Sequence, residues 1–227
     1  MTLEVFPNLE QGSEAWHAAR RGIITASVVG QFITPKTIKV ATNDKTRAMA
    51  YQLIAERITG HTEDTYVSRD MEAGHFIEPL ARDLYSEHFA PVTEVGFMVL
   101  NLEGLKIGYS PDGIVGDDGL IEIKRRFTKF HLQTILSDEV PLEHMAQIQC
   151  GLLVSGRVWC DYISYCGGMP LYVKRVFADE IWAVEIVIAA SRFEESVEAM
   201  TAAYHAATLG MPTTERVEQF QEMELKL

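Results

Sequence analysis

Cysteine is scarce in this sequence: Cys150, Cys160 and Cys166 are all it has. An odd number with no CxxC spacing predicts reduced thiols and argues against a disulfide scaffold or a cysteine zinc site. Long apolar runs are missing as well, since no stretch reaches the roughly 18 residues of a membrane span. The opening MTLEVFPNLEQGSEAW has neither a basic nor an apolar leader segment. No signal peptide is therefore expected, and the chain reads as cytoplasmic and independent of membranes. Internal repeats, low-complexity tracts and Pro/Gly/Ser linkers are also absent. What remains is one expected domain over residues 1–227 with a sizeable core, 47% of the residues being hydrophobic.

Positive charge is in deficit too. Twenty Lys and Arg stand against 32 Asp and Glu, a net charge of -12, which excludes a uniformly basic coat for a polyanion. The imbalance is not uniform. Arg20, Arg21, Lys36, Lys39, Lys45 and Arg47 face only Asp44 in their segment, whereas eight Glu face Arg192, Arg216 and Lys226 from residue 185 onward. A local basic groove on an acidic body fits this pattern, as does ordinary solvated surface.

Helical signals dominate the first third of the chain. SEAWHAAR predicts a short helix capped by Ser13 and stopped by Gly22, and TASVVGQFI a second. TNDKTRAMAYQLIAERITG has helical apolar spacing and ends on Gly60. MEAGHFIEPLARDLYSEHF is also helical in pattern, with Pro79 predicting a kink or a local start. Short β-branched or aromatic runs follow: TEVGFMVL, LKIGYS, LIEIKR, VWCDYISYC and LYVKRVF. Helices near TKFHLQTILSD and LEHMAQIQCGLLVSG separate the third run from the fourth. A long helix is expected from about 179 to 209, then a peripheral acidic tail. The order predicts an α/β fold with one central mixed five-stranded sheet flanked by helices, its core between about 10 and 177.

Within GYSPDGIVGDDGLIEIK, residues 108–124, Asp112 lies ten residues before Glu122 across a glycine-flanked turn. Alternation along a strand puts Glu122 and Lys124 on one face and Ile123 on the other. A two-residue turn at Asp117–Asp118 would align Asp112 with Ile123 and turn it away from Glu122. An odd-length loop, or a bulge at Gly116 or Gly119, restores the parity, and the sequence predicts one of these. Two converging carboxylates repel each other unless a divalent cation resolves the conflict. All-oxygen ligation suits Mg²⁺, with the Ile123 carbonyl as a further oxygen. Lys124 would then stand beside the metal, to orient a water or stabilise developing charge. A surface hairpin with a Glu122–Lys124 ion pair fits the bare pattern too. Glu78, four residues after Gly74, is a further candidate acid. Gln147, on an otherwise apolar helix with Gln149, needs a partner, either in the core or at Lys124.

Together these residues resemble the PD-(D/E)xK nuclease superfamily, and within it the lambda exonuclease branch of YqaJ-type viral recombinases. The similarity runs from about residue 10 to 177. Its most distinctive part is the spacing of Trp16, Arg20, Gly22, Thr25, Ala26 and Ser27; GHFIE, YSPDG, IEIK and AQIQ follow in family order. The resemblance implies a restriction-endonuclease-like fold. It implies that Asp112, Glu122 and the Ile123 carbonyl hold Mg²⁺, with Glu78 at a second metal position and Mn²⁺ an expected substitute. Lys124 and Gln147 would assist the attacking water. Arg20, Ser27 and Ser110 would receive the terminal 5′-phosphate of DNA, a chemistry suited to a guanidinium and hydroxyls, although Ser27 also reads as a simple helix N-cap. Arg69 is a further phosphate-contact candidate and Met71 an apolar wedge near the strands.

The activity implied is digestion of one strand of linear duplex DNA from a 5′ end, leaving a 3′ overhang for recombination. The implied setting is a homotrimeric ring, a single-strand annealing protein as partner, and a phage or prophage gene in a bacterial host. Two departures stand out: Gly151 occupies a position where RecB-type motifs carry Tyr, and Arg125–Arg126 replace a frequent Cys-Pro. The alternatives are another nuclease of the superfamily, either an endonuclease or a RecB-like repair nuclease, and a catalytically silent module that binds DNA ends. The scattered cysteines argue against relatives that carry an iron–sulfur cluster.

Overall fold

A computed structural model describes residues 1–63 and 69–216, without the side chains of 69–73 and 75. In chain order the elements are β1 (Thr2–Phe6), α1 (Glu14–Arg20), β2 (Ile24–Thr25), α2 (Ala26–Val29), β3 (Ile33–Thr34), β4 (Lys39–Val40), α3 (Asp44–Thr59) and α4 (Arg69–His88). They continue with β5 (Phe97–Leu102), β6 (Leu105–Tyr109), β7 (Gly113–Val115), β8 (Gly119–Arg125), α5 (Thr128–Ser137), α6 (Leu142–Ser155), β9 (Trp159–Tyr165), β10 (Tyr172–Phe177) and α7 (Glu180–Ala207).

Local signals account for most of these boundaries. Ser13 caps α1 by accepting from the Trp16 N–H, and Asn43 caps α3 by accepting from Lys45 and Thr46. Gly60 and Gly156 end α3 and α6 in the left-handed conformation. Asp179 caps α7. Pro79 removes one helical donor without ending α4, which runs on to His88. The helix expected over TASVVGQFI shrinks to the four residues of α2, because Ile33–Thr34 turns instead into a small hairpin with β4. Ser27 therefore lies inside that helix and not at its N-cap, which is Thr25.

The five expected strands all form, but their hydrogen bonding is divided between two four-stranded sheets, ordered β1-β5-β6-β2 and β10-β9-β8-β7. This corrects the single five-stranded sheet. The division falls at Ser110–Asp112, between β6 and β7. Pro111 has no N–H to give a ladder, and the Ile123 N–H that could meet it donates to the Asp112 carboxylate at 2.6 Å. Two sequence-silent strands complete the first sheet. β1 pairs antiparallel with β5 but is exposed along its length, so no buried face marks it. β2 pairs parallel with β6 over two residues.

β8 and β9 pair in parallel, joined by the crossover through α5 and α6. The main core packs α2, α3, α6 and α7 around β6, with Phe32, Ile107, Ile148, Tyr162, Ile186 and Phe193 buried. A smaller cluster of Ala81, Tyr85, Ile121, Ile123 and Ile163 joins α4 to the other face of β8 and β9. Among the described residues no helix is long and apolar enough to cross a membrane.

Candidate active site

The β7–β8 hairpin decides the geometry of the two carboxylates. Val115 pairs with Gly119 and Gly113 with Ile121, so the loop is Gly116, Asp117 and Asp118: three residues, an odd number. Gly116 supplies the positive φ, +51°, that the tight turn needs. Extending this register by one residue brings Asp112 opposite Glu122, and directly opposed residues share a face. Glu122 is buried, 1% exposed, and Asp112 is 9% exposed.

Their surroundings are electrostatically incomplete. Lys124 Nζ lies 2.7 Å from Glu122 Oε1 as an ion pair, and this buried oxygen has no further partner among the described groups. Burial first, and Glu122 second, raises the Asp112 carboxyl well above its ordinary value, against the opposing pull of Lys124. Burial disfavours the Lys124 ammonium, but Glu122 and Asp112 outweigh it and hold the charge in place. Lys124 also donates to Gln147 Oε1 at 3.1 Å. The two glutamines of α6 thus part company, because Gln149 is spent in the core, donating to the Phe177 carbonyl and accepting from the Asp179 N–H.

A second arm of the site comes from the N-terminal segment. β2 lies beside β6, which brings Thr25 next to Gly108, two residues before Ser110. Ser110 Oγ accepts from Trp16 Nε1 at 2.9 Å and from Arg20 Nη1 at 3.2 Å. The Arg20 guanidinium stacks 4.0 Å from the Trp16 ring. Burial pushes Arg20 down to about 10, with Glu56 opposing, so the group stays charged. Ser27 pairs with the Thr25 hydroxyl at 3.1 Å. One cavity of about 150 Å³ is lined by Arg20, Ser27, Glu78, Ser110, Asp112, Glu122, Ile123, Lys124 and Gln147 together. Arg69 and Met71 sit at the start of α4, and their side chains lie outside the described residues.

The profile of the YqaJ-like viral recombinase domain matches residues 15–158, from α1 to the residue before β9. The chain belongs to the YqaJ-like viral recombinase family. Its solved relatives include an alkaline exonuclease (LHK-Exo) from Laribacter hongkongensis, 33% identical, with a TM-score of 0.75 over 87% of this chain and 100% of that one. The same protein in complex with dAMP matches at 34% identity with the same coverage and TM-score. A phage related exonuclease from Haemophilus somnus 129PT shares the fold at a TM-score of 0.59 and 10% identity, over 80% of this chain and 96% of that one. No curated protein matches. The α/β, restriction-endonuclease-like class expected from the sequence is thereby the fold of this family member.

The donors present fit a hard divalent cation. Mg²⁺ is commonly held by one or two carboxylates together with water and substrate phosphate. Here two buried carboxylates converge, one with an oxygen that has no partner among the described groups beyond the Lys124 ammonium. The N–H and C=O of a strand residue point to the same side. The Ile123 carbonyl therefore faces the side from which Asp112 bonds its N–H. Among the described residues no group of three or more His, Cys, Asp or Glu converges as a metal cluster. Glu78 lines the cavity and acts on Asp112 through its charge, more remotely than the pair itself. His144 is a packing group: it stacks on Tyr162, contacts Arg126, and burial pushes it down to about 4.

Three neighbours of the site had no role assigned from the sequence. Trp16 orients Ser110 from a helix that is remote in sequence. Arg82 of α4 donates to the Asp112 carbonyl at 2.8 Å and pins the strand break. Tyr109 reaches Glu122 Oε2 at 3.4 Å. A Cβ at Gly151 would stand 2.6 Å from Tyr109 Cζ. The glycine that departs from the RecB-type motif is therefore the space that a tyrosine from β6 fills. The pairing of Gly151 with Tyr109 was a possible signal, but only knowledge of how α6 crosses β6 gives it meaning.

Proposed function

We propose that the protein is an Mg²⁺-dependent exonuclease that digests one strand of linear duplex DNA from its 5′ end and leaves a 3′ overhang. The observation carrying this reading is the shared cavity, in which the Asp112–Glu122–Lys124 constellation and the Arg20–Ser27–Ser110 cluster meet. Asp112, Glu122 and the Ile123 carbonyl would hold the cation, with Glu78 near a second position, and Mn²⁺ would substitute. The bound ion would supply Lewis-acid stabilisation of the phosphoryl oxygens and a more acidic water. Lys124, fixed between Glu122 and Gln147, stabilises charge that develops on the phosphate and helps orient the attacking water. Arg20, braced by Trp16, offers the charge-assisted donors that a terminal 5′-phosphate accepts. Arg69 and Met71 remain candidates for strand contact and for an apolar wedge.

This function calls for a protein that stays on its track, and a closed homotrimeric ring acting with a single-strand annealing protein in the cytoplasm of a bacterial host meets that need. The charge pattern supports the ring less simply than the sequence suggested. Lys39 of the basic segment is tied to Glu185 of α7 at 2.5 Å, so part of the basic segment is spent inside the subunit.

The deciding experiment is digestion of end-labelled linear duplex with Mg²⁺, with and without a 5′-phosphate. Faster loss of the 5′-phosphorylated strand, with the 3′ strand persisting, is the expected result. Equal rates on both ends would reject the phosphate pocket. Cleavage of a covalently closed circle would favour an endonuclease, and no cleavage of any substrate would favour a silent end-binding module. Light scattering should report the mass of three subunits.

A further inference from the structure

The turn that follows Arg20 is held by two consecutive residues of α3. Arg20 is the last residue of α1, and the chain must change direction to enter β2 at Ile24. The change falls on Gly22, whose φ of +68° is left-handed. A residue between a helix and a strand has no ladder to satisfy its backbone. Both polar groups of Gly22 are met by α3 instead. Its N–H donates to Glu56 Oε2 at 2.8 Å, and its C=O accepts from Arg57 Nε at 3.0 Å. A Cβ at Gly22 would stand 2.9 Å from Arg57 Cγ, so the Arg57 stem lies across the turn.

The grip is braced from behind. Arg57 makes a two-pronged contact with Glu194 of α7, through Nη1 to Oε1 and through Nη2 to Oε2 at 3.0 Å. Such a fork fixes the plane of the guanidinium. Glu56 also opposes the loss of charge that burial imposes on Arg20. α1 is seven residues long and buries none of them. A helix so short and so little packed holds no direction by itself. A tie that only joined α1 to α3 could sit anywhere along them; this one takes both backbone groups of the residue two after Arg20. We propose that Glu56 and Arg57 are positioning residues for the terminal phosphate: their grip on Gly22 aims the Arg20 guanidinium at the place it shares with Ser110, and Glu194 braces the grip from α7. This rests on the nuclease function proposed above and adds what sets its preference for the phosphorylated end.

The test compares blunt linear duplexes carrying a 5′-phosphate or a 5′-hydroxyl, with the full chain and Mg²⁺. A contact equally strong before and during the reaction acts on KM and leaves kcat alone. Arg57→Ala and Glu56→Ala should therefore raise KM for the phosphorylated end about tenfold, the scale of one displaced charge-assisted hydrogen bond, with the hydroxyl end affected far less. Glu56→Gln keeps an acceptor for the Gly22 N–H and should keep the preference. Glu194→Ala frees the Arg57 fork and should weaken the preference about threefold, the scale of a partly exposed ion pair. Fluorescence anisotropy of the same two duplexes, dye-labelled and bound in EDTA, should give the same ratios without cleavage. A merely structural tie lowers the urea midpoint and slows both ends by one factor. A phosphate-to-hydroxyl ratio that stays at the wild-type value in both alanine variants therefore overturns the positioning role. So does loss of the preference in Glu56→Gln, which would leave charge and not the grip as the cause. If either alanine variant does not fold, Glu194→Ala decides by the same ratio. A wild-type protein without phosphate preference defeats the pocket and the positioning role together. One that cuts no DNA defeats the functional reading and leaves the anisotropy ratio to decide the positioning by itself.

Discussion

Two buried carboxylate clusters lie on opposite faces of the same two strands, and they are built to different standards. Glu122 pairs in register with Tyr162, and Ile121 with Asp161, so alternation sends Glu122 and Asp161 to opposite sides of the sheet. Asp161 is 3% exposed and fully served. The Tyr85 hydroxyl donates to it at 2.6 Å, and Arg175 donates through Nε at 2.8 Å and Nη2 at 2.9 Å. Arg175 is itself laid over the Trp159 ring at 3.6 Å. At the other cluster two carboxylates share one lysine, and beyond that ion pair Glu122 Oε1 has no partner among the described groups. A satisfied buried charge contributes to the fold; an unsatisfied one is tolerated where something else is meant to bind.

Removing either carboxylate of the unfinished cluster should have the largest effect. Asp112→Ala and Glu122→Ala should lose Mg²⁺-dependent cleavage below detection while circular dichroism stays native. Near-normal turnover in either folded variant would erase the distinction between the clusters. Lys124→Ala comes next, with a fall in turnover on the order of 10²-fold or more; single-turnover kinetics at saturating metal should show it with metal binding retained. For the finished cluster the ranking of effects should reverse. Asp161→Ala leaves the buried Tyr85 hydroxyl unpaired and should cost roughly 1–3 kcal/mol in urea unfolding, with cleavage per folded molecule close to wild type. A large catalytic loss with intact stability would contradict its structural role.

The smallest effect sharpens the comparison through pH. The folded Asp112 carboxyl is raised above its unfolded value by burial and by Glu122. The fold therefore prefers the protonated form, and stability is lost as pH rises through the folded value. Metal-free Asp112→Asn should melt higher than wild type above that point, by roughly 2–4 °C, the shift of about 1 kcal/mol in a chain of this size. The gap should close as pH falls toward the unfolded value. A scan of melting temperature against pH in EDTA measures it, and a variant less stable at every pH would show that the pair is not frustrated.

Local chemistry made much of this legible. Ser13, Asn43, Gly60 and Gly156 act within one helical turn of themselves, so their caps follow from short-range hydrogen bonding. The parity of the β7–β8 loop followed from the period of two in a strand: an odd loop was required for Asp112 to meet Glu122, and three residues form it. The division of the sheet was harder to see, because it depends on which neighbour uses the Ile123 N–H. The strand β1 and the parallel contact of β2 were invisible, since short exposed strands carry no burial pattern and pair by proximity.

What the sequence determined by itself is the set of residues and their local alternation: the carboxylates, the lysine beside them, the arginine and serines of the N-terminal arm, and the helices and strands that carry them. Tertiary structure alone decided that Trp16 and Arg20 would meet Ser110 across about ninety residues of chain. It also decided that Gly151 would admit Tyr109, and that Asp161 would be completed while Glu122 was not. The reason is physical. Caps and strand parity are set by neighbours along the chain, whereas burial, and the partner a buried charge finds, is set by whichever segment folds against it.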